Sequence, residues 1–234
     1  MSRAAFLIAL GFGLLFGLVS QGQSGEKSQS KPKIIKLYNG KDFTGWQKYC
    51  GKKNVDLEQL FSIDPFEKHL VIKGKALGYL ITEKDYENYE LTLEWRWGLN
   101  KEEPSAQSLN LLNSGVLLHV TGPDKIWPKS VEAQLQYGRA GDFWLIDGFR
   151  LKVDRQQQDP KNARHFLRLI DDVENSPGDW NTYVITCLGK KIKLNVNGKD
   201  VNEGSESELS KGKIAIQAEG WEIHLRNISL KSLK

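Results

Sequence analysis

Glu132 and Gln134 stand in a run, Ser130 to Gln136, where Val131, Ala133 and Leu135 alternate with Glu132, Gln134 and Gln136. A strand spaced this way turns its apolar residues to a core and offers a carboxylate beside two amides on the other face. Such groups can direct sugar hydroxyls, because each donates to or accepts from an O–H along a defined direction, and the carboxylate can also move a proton. A solvated outer face would show the same alternation. His119 shares one side of the run Gly115 to Val120 with Gly115 and Leu117 and is a second candidate base, although a lone strand histidine is more often structural. Glu94 and Arg96 alternate with Leu93, Trp95 and Trp97, and Gln217, Glu219, His224 and Arg226 alternate near the C-terminus, joined by Gly220 and Trp221. If these polar faces line one concave sheet, Glu132 and Arg226 meet there with Glu94, Arg96, His119, Gln134 and Gln217. A base, cations for an oxyanion and planar side chains for hydroxyls and ring stacking suit a sugar. Trp46, Trp127, Trp144 and Trp221 are the stacking candidates, whereas Trp95 and Trp97 read as core.

The elements that must position these side chains are strands. Tyr89 to Trp97 alternates oily and polar residues throughout, and shorter runs of the same kind are expected at Leu70 to Lys73, Ser114 to Val120, Ser130 to Tyr137, Phe143 to Ile146, Thr182 to Leu188, Lys191 to Val196, Lys213 to Ala218 and Trp221 to Leu230. Asn197-Gly198 is the strongest hairpin signal, because both residues tolerate the positive φ of a tight primed turn. Many short strands at hairpin spacing predict an all-β, antiparallel two-sheet sandwich. Asn54 to Leu60 has room for one helical turn, and Asn100 to Leu112 reads as a surface loop that would overhang a cleft. No spacing matches a serine triad, a phosphate loop or a dinucleotide fingerprint.

The chain has 234 residues, with 33 Lys and Arg against 29 Asp and Glu, and a net charge of +4, too thin an excess to argue for nucleic acid. With 39% hydrophobic residues it suits one globular domain and excludes disorder, collagen and coiled coil. Met1 to Val19 holds one early cation, Arg3, followed by an uncharged apolar run. This predicts a signal peptide over residues 1–22, a flexible leader over 23–33 and a folded domain over 34–234, in a periplasmic or secreted protein with no membrane attachment after cleavage. An uncleaved anchor is the alternative. Export leaves room for a Cys50 to Cys187 disulfide, and two free thiols are the other reading.

The order of motifs resembles the 3-keto-disaccharide hydrolase family over nearly the whole mature chain. It runs from Leu37-Tyr38-Asn39-Gly40-Lys41-Asp42-Phe43-Thr44-Gly45-Trp46 through Gly78-Tyr79-Leu80-Ile81-Thr82, Tyr89 to Arg96, Asn113-Ser114-Gly115-Val116, Glu132-Ala133-Gln134, Gly178-Asp179-Trp180-Asn181 and Asn195-Val196-Asn197-Gly198 to Ile216 to Ile228. The chain departs from the usual pattern at His119, where many members have arginine, and at Glu219-Gly220, where many have His-Gly. The resemblance implies a concanavalin-like jelly roll and elimination chemistry on a 3-keto-glycoside, a small-molecule or oligosaccharide substrate. Glu132 or His119 would act as base, with Arg96 or Arg226, alone or with a divalent metal ion, stabilising the enolate before water adds. Glu94, Gln134, Gln217, Glu219 and Trp221 would complete the substrate contacts. A non-catalytic carbohydrate-binding domain and an ordinary endo-glycosidase are the competing expectations, the latter lacking the closely spaced acids such sandwiches often use.

Overall fold

The computed structural model describes Met1, residues 32–98 and residues 108–234. The expected signal peptide, most of the leader and the first part of the Asn100 to Leu112 loop lie outside the described residues. Residues 32–234 form one unit. It is a two-layer antiparallel jelly roll, as the alternation predicts.

Among the described residues, one layer is a nine-stranded sheet ordered Lys152–Val153, Lys199–Ser205, Lys191–Val196, Asn181–Leu188, Tyr89–Trp97, Ile223–Ser232, Leu70–Ile72 and Phe61–Ile63, with Ile34–Lys36 also pairing Ile223–Ser232. The other is eight-stranded, ordered His165–Phe166, Phe143–Ile146, Ser130–Gln134, Gly115–Val120, Lys211–Ala218, Gly78–Thr82 and Trp46–Cys50, with Tyr86–Glu87 also pairing Lys211–Ala218. The reason for two layers is visible in single strands. Tyr89, Leu91, Leu93, Trp95 and Trp97 are all buried while the residues between them are half-exposed, so this strand has one face to hide. Val116, Leu118, Val131, Ala133 and Ile216 supply the facing surface from the eight-stranded layer. The expected turn at Asn197-Gly198 is made, with φ of 49° and 81°. The short helix is a single turn, Leu57–Leu60, capped by the Asp56 carboxylate.

Gly78–Thr82 escapes the period-two signal because it is covered on both faces. Gly78–Thr82 is buried throughout: Leu80 points to the main core, while Tyr79 and Ile81 join Leu117, Val120 and Ala215 in a second apolar cluster on the outer face. Cys50 and Cys187 are free thiols, one at the end of the Trp46–Cys50 strand and the other buried in the nine-stranded sheet.

Candidate functional site

Register carries a row of side chains across the outer face of the eight-stranded sheet. Ile81 faces Ala215, Ala215 faces Leu117, Leu117 faces Glu132, Glu132 faces Trp144, and Trp144 faces His165. The row therefore passes from apolar cover to a carboxyl group with an indole beside it. Gly115, one step along, is what gives Glu132 its place. A Cβ at that position would collide with Glu132 Oε1 and Gln217 Oε1, so the missing side chain is the hollow into which both lean.

Glu132 is only 5% exposed. Burial, with the charge of Glu219 added, pushes its pKa up to about 8, against a small opposing pull from the Gln217 amide. Burial also lifts Glu219 to about 7. Glu219 is brought there by paired bridges that Asn113 makes with Glu219 and Gly220. Among the described residues, two buried oxygens at the site, Asn113 Oδ1 and Gln217 Oε1, have no hydrogen-bond partner, and both are acceptors. Gln134 is less free than expected: its Oε1 accepts from Leu135 N at 2.8 Å and Gln136 N at 2.9 Å, leaving only its NH₂ to face the cleft.

Loops complete a cleft of about 410 Å³, within the range of small-molecule sites. Lys125, Ile126 and Trp127 make one wall, anchored where Tyr79 Oη donates to Asp124 Oδ1 at 2.9 Å and where Lys125 pairs with Asp147 at 2.6 Å. The described end of the Asn100 to Leu112 segment lies beside the cleft: Asn110 O accepts from Gln136 Nε2 at 3.1 Å. Trp127 and Trp144, both stacking candidates, line the cavity with Arg164. A wider groove of about 1100 Å³ elsewhere is walled by exposed ion pairs such as Lys152 with Glu206. Among the described residues, no three His, Cys, Asp or Glu side chains gather as a metal site. Glu132, Glu219 and the two unpartnered amide oxygens are donors of the kind a hard divalent ion accepts, and the raised carboxyl pKa values mean protons compete for that place at neutral pH.

The expected single site divides in two. Glu94, Arg96 and Arg226 belong to the nine-stranded sheet and face away from its core, so Glu132 and Arg226 stand on opposite surfaces of the sandwich rather than on one hollow face. Arg226 Nε donates to Glu94 Oε2 at 2.7 Å, and Asn227 Nδ2 donates to Glu94 Oε1 at 2.8 Å. Arg96 donates to Glu67 at 3.0 Å, and both guanidinium groups lie over Trp180, 4.6 and 4.0 Å from the ring centre. Although burial would raise it, the Glu94 pKa is held down by Asn227 and Arg226.

His119 is also corrected. A bulge places Val120 against Lys213 but Leu117 against Ala215, and His119 takes a φ of 54°, which reverses the alternation from that point. Its ring turns into the core edge-on to Tyr89 and is fully buried, and among the described residues neither ring nitrogen has a hydrogen-bond partner of ordinary geometry. Burial drives its pKa down to about 4, slightly offset by the Leu209 backbone, so it is neutral and remote from Glu132. Trp221 is turned from the cleft as well, its Nε1 donating to Gly98 O at 2.8 Å, and Trp46 is core. Glu132, Gln134, Gln217 and Glu219 are the expected residues that come together. Asn113, Lys125 and Arg164 were not foreseen; only Asn113 lay in a motif that could have pointed to it.

A family profile described as a 3-keto-α-glucoside-1,2-lyase-like domain matches residues 33–231. No curated protein matches the chain significantly. Among solved structures, a Parabacteroides distasonis protein provisionally described as a glycosyl hydrolase superposes with a TM-score of 0.61 at 21% identity, covering 86% of this chain and 94% of its own. The β-glucanase of Bacillus licheniformis gives 0.55 at 12% identity, covering 88% and 100%. A carbohydrate-binding module from Bacillus subtilis gives 0.52 at 8%, covering 80% and 96%. At these identities the likeness to the solved structures establishes the jelly-roll fold.

Proposed function

Because the chain belongs to the 3-keto-α-glucoside-1,2-lyase-like family, we propose that its cleft takes a 3-keto-glycoside and breaks the glycosidic bond by elimination followed by hydration. A ketone at carbon 3 acidifies the hydrogen on carbon 2. A base removes that proton and leaves an enolate; the enolate then expels the aglycone oxygen from carbon 1, which needs a proton as it departs. Water adds to carbon 1 of the resulting enone and a proton returns to carbon 2, so the net change is hydrolysis.

The observation that carries this reading is the pair Glu132 and Glu219, two carboxyl groups with pKa values lifted into the neutral range beside an aromatic ledge. Glu219, the more exposed of the two, is the base. Glu132 is the proton donor: burial beside Glu219 lets its carboxyl retain a proton near pH 7. Sequence reasoning left the base open between Glu132 and His119; this reading gives the role to Glu219, the neighbour of Glu132. Asn113 Oδ1 is placed to accept a sugar hydroxyl, and Trp144 and Trp127 to cover ring faces.

The test is incubation of purified protein with a 3-keto-glucoside while aglycone release is followed. Wild type should release it, and Glu219→Gln and Glu132→Gln should each slow release by roughly 10²- to 10⁴-fold while still binding sugar. Binding without release by the wild type would make the protein a carbohydrate-binding domain, and cleavage of unoxidised polysaccharide would make it an ordinary glycosidase.

A further inference from the structure

Beneath the indole ledge stands a group of ionisable side chains that the elimination does not use. The rings of Trp144 and His165 are parallel to within 9°, with centroids 4.1 Å apart. The imidazole is 9% exposed and engaged at both nitrogens: Nε2 is 2.7 Å from Asp142 Oδ2, and Nδ1 is 2.9 Å from Asp159 Oδ2. A neutral imidazole has one N–H and can donate to only one of these carboxylates, whereas imidazolium donates to both. Asp142 is completely buried, and its other oxygen accepts from Arg168 N at 2.8 Å. The outer oxygen of Asp159 accepts from Lys161 N at 2.8 Å, so both acids are held in place. Arg139, 4.0 Å from Asp142, is the cation that faces the group from the preceding turn. Burial alone would lower the His165 pKa, but the two carboxylates outweigh it and raise the value.

We propose that Asp142, His165 and Asp159 form a protonation-dependent clamp that fixes Trp144 as the ledge on which a pyranose ring stacks next to Glu132. The proposal rests on the reading of the cleft as a sugar site and adds a regulation to it. With the imidazolium bridged to both acids the indole has a rigid backing. As pH rises through the His165 pKa the proton leaves, one bridge is lost, two carboxylates face an uncharged ring, and the ledge loosens. Sugar affinity therefore falls as pH rises. His165 touches no substrate; it is a positioning residue.

The Trp144 signal is isolated by subtracting the emission of Trp144→Phe from that of the wild type, without sugar, across a pH series. A stacked imidazolium quenches indole emission, so this component should brighten with a midpoint above the ordinary histidine value of about 6.5. In Asp159→Asn, at a partly exposed position, the midpoint should move down. Calorimetric binding of methyl glucopyranoside should weaken severalfold over the same range in the wild type and at lower pH in Asp159→Asn. An emission midpoint that ignores Asp159→Asn, or an affinity flat across the transition, overturns the clamp. None of these readouts requires turnover. A protein that binds methyl glucopyranoside with this pH profile yet releases no aglycone keeps the clamp and loses the elimination.

Discussion

Glu132 sits where an ionised carboxylate is most costly, under a sheet face with a second acid beside it, and the fold meets that cost by letting it keep a proton. Its folded pKa of about 8 lies above the ordinary glutamate value of 4.5, so the folded state holds the proton more tightly than the unfolded chain does. Stability from this group is complete below the unfolded value and is lost as pH rises through the window between the two. Glu132→Gln should therefore be nearly neutral for stability at acid pH. Near pH 9 it should raise the unfolding midpoint by roughly 5 °C or more, since each pKa unit is worth about 1.4 kcal/mol. Thermal unfolding at the two pH values measures this, and equal midpoints would show that Glu132 ionises freely. The same pair predicts a narrow, bell-shaped kcat/KM profile, rising as the macroscopic lower pKa near 7 is passed and falling beyond about 8. A Glu219→Gln variant with residual activity should lose the rising limb.

The strands decide which of these side chains can meet. Gly115 contributes nothing but space, and Gly115→Ala should press a methyl group against Glu132 and Gln217. A loss of about 1 to 3 kcal/mol in stability and at least a tenfold drop in aglycone release are expected, read by denaturant unfolding and by turnover on one preparation. Alternation in the sequence located Tyr89–Trp97, Phe143–Ile146 and Lys191–Val196 to the residue, because each has one face to the core and one to water. It could not show the bulge at His119, where the cue is a backbone torsion: Gly212 must lack a Cβ because His119 backbone passes too close. Nor could it show Gly78–Thr82 as a strand, since a second apolar cluster covers its outer side and erases the alternation.

At the scale of the molecule, two outward faces share the same polar alternation, and nothing in a strand's own residues says which layer it joins. That is why Glu94, Arg96 and Arg226 belonged with Glu132 on paper and stand across the core from it in space. The double variant Glu94→Ala with Arg226→Ala should leave turnover within about twofold of wild type while lowering stability by roughly 1 kcal/mol, the usual worth of a partly exposed ion pair. A large loss of turnover would place that face in the reaction. Around the cleft, strands and loops differ in what they can change. Glu132 rides on a hydrogen-bonded strand and Glu219 directly follows one, whereas the wall formed by Lys125, Ile126 and Trp127 is a connecting segment. Segments of that kind accept insertion and replacement that strands do not. Under the proposed elimination, selectivity for the departing group can thus diverge by exchanging one loop, with the acid pair inherited intact beneath it.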